Sequence, residues 1–99
     1  MANLDDFLKT LADKWRDYAV ANSAWLLPIL QDHYEIIYNQ EGVEVARRLP
    51  SELIVGIMAG LVPQVSELMP LLWRSSGNNF DRIVEALYLD FDPFQEDKP

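Results

Sequence analysis

The first part of the chain carries apolar residues three or four positions apart, a spacing that places them on one face of a helix. These positions are Leu4, Phe7, Leu8, Leu11, Trp15, Tyr18 and Ala19. Asn3 and Asp6 stand where a capping box would begin that helix, and Asp5 suits its positive end. The pattern therefore predicts a first helix that runs to about Ala21.

A second helical spacing follows Asn22 and Ser23, with Pro28 suited to a first turn. Its apolar positions are Leu27, Leu30, Tyr34, Ile37 and Tyr38. This spacing predicts a helix from about Trp25 or Leu27 to Gln40. Residues 43–48 begin with alternation typical of a strand, but a strand needs a partner, and the predicted helix leaves none. We therefore predict a third, short helix over 43–48.

The most apolar part of the chain lies between Glu52 and Glu67, where residues 53–66 carry no charge. Pro50 is placed for a first helical turn, which predicts a helix from Ser51 to Leu61 or Val62. A membrane-spanning helix needs about twenty apolar residues, and the flanking glutamates are costly in hydrocarbon. We therefore expect a buried helix and no membrane span. A further helix, bent by Pro70, is predicted from about Gln64 to Arg74.

Two glycines, Gly56 and Gly60, lie four positions apart inside that apolar helix. Each glycine lowers helix stability by about 1 kcal/mol relative to alanine, so the pair indicates that another backbone passes close to this face. We expect a helix crossing within the chain, with a homodimer contact as the alternative. If the crossing is within the chain, replacing Gly56 by Leu should disrupt folding rather than association.

Residues 75–79 form the clearest predicted loop, because Gly77 and Asn79 are suited to end one helix and cap the next. The last helix is predicted from Phe80 to about Leu89. The sequence thus predicts an all-α protein, a compact bundle of five or six short helices in a single domain over residues 1–90. A flexible acidic C-terminal tail is predicted over 91–99.

Composition narrows the class of function. The chain has 99 residues, enough for one domain, with 16 acidic and 8 basic residues and a formal net charge of −8. Such a surface repels nucleic-acid phosphates, so we expect no direct nucleic-acid binding, and it attracts a basic protein partner. The absence of cysteine and the acidic amino end, where a secretory signal would be basic, lead us to expect a cytoplasmic protein.

Catalytic and metal-binding patterns are absent from the sequence. His33 is the only histidine, and on a helix it would point about 100° away from Asp32 rather than join Asp32 and Glu35 on one face. No zinc, phosphate-loop or nucleophile-elbow motif occurs. We therefore predict a non-enzymatic protein without a metal or a cofactor.

The remaining candidates are residues that bind another protein. Aromatic side chains at helix ends and acidic side chains near them are suited to anchor a partner with a basic surface. These residues are Trp25, Asp32, Glu35 and Trp73, together with Asp90, Phe91, Asp92 and Phe94 in the tail.

Our leading hypothesis is a small acidic helical protein that inhibits, sequesters or adapts a protein partner. A sharper version is charge mimicry of DNA, as in anti-defence inhibitors, directed at a basic nucleic-acid-handling protein. Two alternatives stay open: a self-associating homodimer that uses Gly56 and Gly60, and a small membrane-associated protein.

Overall fold

A computed structural model describes residues 4–95 of the chain as five helices and a two-stranded antiparallel sheet. In order these are α1 (Leu4–Ala21), α2 (Ser23–Asp32), β1 (Glu35–Tyr38), β2 (Glu44–Arg48), α3 (Ser51–Leu61), α4 (Pro63–Ser75) and α5 (Phe80–Ala86). The prediction of an all-α protein is therefore wrong, because a β-ribbon replaces part of the second helix and the whole of the short third one.

Helix α1 forms as its apolar spacing predicts. Leu11, Trp15 and Ala19 lie four residues apart and are fully buried, while Asp5 and Asp6 occupy the first turn. The buried stripe of α1 packs into one core with residues of α2, α3, α4 and α5. Helix α3 contacts both α4 and α5 and contributes Ile54, Val55 and Met58 to that core.

Helix α2 ends eight residues earlier than predicted. The backbone N–H of His33 still donates to the carbonyl of Ile29, but the chain then leaves helical geometry and becomes extended. Four of the five following residues are aromatic or β-branched, namely Tyr34, Ile36, Ile37 and Tyr38, which favours a strand when a partner strand is available. That partner is β2, and each strand provides the backbone hydrogen-bonding groups with which the other pairs.

The ribbon, β1 with β2, turns at residues 39–43. The side-chain oxygen of Asn39 accepts hydrogen bonds from the backbone N–H groups of Glu41 and Val43, and Gly42 has a positive φ of 79°. Ile36 pairs with Arg47, and Ile37 pairs with Ala46. The register then shifts between Ile37 and Tyr38, so that Tyr38 pairs with Glu44 and Val45 is the additional residue of a bulge.

A polar junction joins the ribbon to two helices. Arg48, at the end of β2, is buried; its Nη1 donates to the Leu49 carbonyl at 3.0 Å and to Ser51 Oγ at 2.9 Å, and its Nη2 reaches Asp81 Oδ1 at 3.4 Å. Ser51 Oγ also donates to Asp81. The start of α3 and the start of α5 are thereby tied to the end of the ribbon through one buried guanidinium.

The chain after α5 folds back onto the core rather than extending from it. Leu87 and Leu89 are buried, and Phe91 and Phe94 pack against the core. The structure therefore differs from the predicted flexible tail over 91–95. The rest of that prediction, residues 96–99, lies outside the described residues.

Candidate protein-binding surface

The outward side of α2 is an exposed apolar surface with one charge at its end. Leu26 is the only buried residue of the helix, and Ile29 and Leu30 are partly buried beside it on the inner side. The exposed residues, which we call the α2 surface, are Ala24, Trp25, Leu27, Pro28, Gln31 and Asp32. A surface helix normally carries polar residues on this side, so the composition of α2 is the reverse of what solvent alone favours.

Trp25 is held in a defined position on this surface. Its indole Nε1 donates to Asn22 Oδ1 at 3.2 Å, and the Asn22 amide nitrogen donates to the Tyr18 carbonyl at 2.9 Å. The residue is nevertheless 42% exposed. A large aromatic side chain that is already fixed loses little conformational entropy when a partner covers it, which is a property of binding anchors.

Asp32 lies at the electrostatically unfavourable end of α2. The carboxyl end of a helix carries partial negative charge, and the last turn of α2 contains no basic residue. Within residues 4–95, the Asp32 side chain makes no hydrogen bond or ion pair. Its carboxylate and the last carbonyls of the helix therefore form a negative site that an incoming Lys or Arg would neutralise.

Glu35 does not join this surface, although the sequence grouped it with Asp32. It is partly buried and lies opposite Arg48 across the ribbon. Trp73 lies on a different helix, α4, where its ring packs on Phe80 with centroids 4.8 Å apart. The two predicted tryptophans therefore belong to separate parts of the molecule.

The predicted tail residues are engaged by the protein itself. The Arg16 guanidinium stacks over the Phe91 ring at 4.4 Å. Phe94 lines a shallow cleft of about 380 Å³ together with residues at the end of α1, and its backbone N–H donates to Asp92 Oδ1 at 2.9 Å. Asp90 lines a second cleft, beside the ribbon, that also contains Arg48 and Glu85. Phe91 and Phe94 thus stabilise the fold in this structure.

Gly56 and Gly60 face outward from α3. A Cβ atom built at either position meets no atom within 4 Å in the part of the chain that is described. The expected helix crossing over these glycines is therefore absent from residues 4–95. Whether a second copy of the chain contacts this face stays a prediction.

A second apolar surface, which the sequence analysis missed, is the outward face of the ribbon. Tyr34, Ile36, Tyr38 and Val45 are exposed there, and Arg47 stacks over the Tyr34 ring at 4.3 Å. The signal in the sequence was the β-branched and aromatic composition of residues 36–38, together with the alternation of Val43, Glu44 and Val45. Tyr34, Ile37 and Tyr38 also fit a helical spacing, so the sequence predicted a helix there instead of a strand.

The described residues form neither a metal site nor a membrane-spanning helix. No group of three or more His, Asp or Glu side chains in residues 4–95 could hold a metal ion, and His33 is exposed. None of the described helices is long and apolar enough to cross a membrane.

A model of a family of unknown function, DUF5331, matches residues 1–98, so the chain belongs to that family. No curated protein and no solved structure matches the chain.

Proposed function

We propose that this member of the DUF5331 family is a non-enzymatic protein that binds a protein partner through the α2 surface. The observation that carries the proposal is the combination of an exposed apolar helix side with an uncompensated carboxylate at its negative end. Neither feature benefits the isolated fold, since exposed apolar area gains nothing from water and Asp32 opposes the helix dipole. Both become favourable when a partner covers them.

The chemistry of the surface indicates the kind of partner. An apolar patch would sit over Trp25 and Leu27, and a Lys or Arg would meet Asp32 and the last carbonyls of α2. The net charge of −8 would draw such a basic partner at long range and speed the encounter. Binding would inhibit, sequester or adapt the partner by occupying its basic surface.

A nucleic-acid-handling protein is one class with a surface of this kind, and the carboxylates would then occupy positions that phosphates otherwise take. This finer proposal rests on charge alone. A DNA oligonucleotide added to the complex should displace the protein from such a partner, whereas a partner that is retained at saturating DNA would exclude charge mimicry.

The test begins with affinity capture from the native host, with the wild-type chain and the Trp25→Ala variant as parallel baits. A partner that is enriched by the wild type and lost with Trp25→Ala supports the α2 surface. Trp73→Ala is the matched control, because Trp73 is similarly exposed but lies on α4. A partner retained by Trp25→Ala and lost with Trp73→Ala would overturn the assignment to α2.

A further inference from the structure

The outward face of the ribbon is a second exposed apolar surface, and it shares no residue with the α2 surface. The register places Ile36 and Arg47 side by side on this face, followed by Tyr38 and Glu44, with the bulged Val45 next to them. Tyr38 is 60% exposed and Val45 is 53% exposed. The other face of the ribbon packs inward, where Ile37 and Ala46 are partly buried and Arg48 is buried.

The exposed apolar area of this face is as large as that of patches that are often functional in monomeric proteins. Two tyrosines and two aliphatic residues at these exposures present on the order of 400 Å² of largely apolar area, in the range where a patch on a monomer is often functional. This is about half of what one partner contributes to an interface of ordinary size, roughly 800 Å² per side. The ribbon face can therefore form the centre of an interface, with its surroundings as the rim.

The charges on this face are self-complementary. Glu44 and Arg47 are both exposed on this face, so it carries one acidic and one basic side chain, although the net charge of the whole chain is −8. A two-fold axis makes a contact between residue i and residue j of the partner occur twice, with the roles exchanged. Two ribbon faces related in this way bring each Glu44 to the Arg47 of the other copy.

We infer that the occupant of the ribbon face is a second copy of this chain, bound about a two-fold axis. A partner surface that is uniformly basic at the contact would press like charge against Arg47, and one that is uniformly acidic there would press like charge against Glu44. A second copy satisfies both charges and covers the tyrosines and aliphatic side chains at once. The ribbon face shares no residue with the α2 surface, and self-association is measured without any other partner, so this inference is tested separately from the proposed function.

Sedimentation equilibrium of the full chain at about 1–100 µM tests the inference, because a stable interface of this size is expected in that affinity range. The expected mass is twice the 11.4 kDa of one chain. E44R and R47E should each weaken dimerisation at least tenfold. E67R is the control: it reverses an exposed acid on α4 and should dimerise as the wild type does.

A mixture of E44R and R47E tests directly whether Glu44 of one copy contacts Arg47 of the other. E44R opposes R47E with opposite charges at both contacts, so an equimolar mixture should form a heterodimer more tightly than either variant forms a homodimer. Circular dichroism of each variant confirms that the fold is intact.

Three results would overturn the inference. One is a monomer at about 100 µM. Another is a mixture that dimerises no better than its components. The third is a dimer that is unaffected by E44R and R47E but broken by Gly56→Leu, which would place the contact on α3.

Discussion

Replacing Gly56 by Ala should stabilise the protein. Gly56 lies in the interior of the 11-residue helix α3, and a Cβ atom there meets nothing within 4 Å among the described residues. Alanine removes backbone freedom from the unfolded chain and fits the helix without strain, so the free energy of unfolding should rise by about 0.5–1 kcal/mol. Gly60 lies next to the last residue of α3, where helices fray, and the same change there should gain less.

Gly77 provides a matched control with the opposite sign. Its φ is 74°, in the left-handed region, where an alanine costs roughly 1–2 kcal/mol relative to glycine. Gly77→Ala should therefore destabilise the protein, although the chemical change is identical. The contrast removes any general effect of exchanging glycine for alanine.

Thermal and urea unfolding followed by circular dichroism measure both changes. A gain of 1 kcal/mol corresponds to a rise in Tm of roughly 4–8 °C for a domain of this size. Gly56→Leu should be at least as stable as the wild type, because leucine is also a better helix former than glycine and a Cβ atom at this position meets no atom within 4 Å among the described residues. This reverses the expectation, drawn from the sequence, that a leucine at this position disrupts folding.

A lower Tm for Gly56→Ala would refute this reasoning. If the loss occurs at about 5 µM as well as at 100 µM, the contact with the glycines lies within one chain. If it occurs only at the higher concentration, a second copy makes the contact.

Three other predictions concern the core, the polar junction and the end of α2. Arg48→Met should lower the free energy of unfolding by about 2–4 kcal/mol, because the buried guanidinium loses its hydrogen bonds to Leu49 and Ser51 and its ion pair with Asp81 while the side-chain stem is kept. An unchanged urea midpoint would contradict a structural role for the junction. Trp15→Phe should lower the free energy of unfolding by less than about 2 kcal/mol, against roughly 3–5 kcal/mol for Trp15→Ala. The reason is that the buried indole N–H of Trp15 has no acceptor within the described range, and phenylalanine removes that unpaired donor. Similar losses in both variants would contradict this reasoning. Asp32→Asn should raise the free energy of unfolding by about 0.3–1 kcal/mol at low salt and by less at high salt, because it removes a negative charge from the negative end of α2. Asp13→Asn, in the middle of α1, should change the free energy of unfolding little. Equal effects of the two substitutions would contradict an unfavourable interaction between Asp32 and the end of the helix.

The helices that carry the core were predictable from the sequence. The stripe of Leu11, Trp15 and Ala19 and the apolar run of α3 are strong local signals, and Pro63 marks the start of α4. The ribbon was not predicted, because residues 34–38 fit a helical period as well as an alternating one. Once they were assigned to a helix, the alternating residues 43–45 had no partner strand, and the second error followed from the first.

The candidate site was predictable only in part. Trp25 and Asp32 lie on one surface because both belong to the same short helix, which sequence spacing can indicate. The contact between Arg16 and Phe91 joins two ends of the chain, and the bonds from Arg48 to Ser51 and Asp81 join three elements. Neighbours that are so distant in sequence are set by the tertiary fold, which spacing along the chain does not encode.

The central claim is that a basic partner binds the α2 surface with Asp32 at its charged end. The most direct measurement is calorimetric titration of the captured partner with the wild type, Asp32→Asn and Asp13→Asn at about 50 and 300 mM salt, over which exposed charge pairs are increasingly screened. The account predicts that Asp32→Asn weakens binding and reduces its salt dependence, while Asp13→Asn leaves both close to the wild type. Equal affinities and equal salt dependence for all three chains would contradict it.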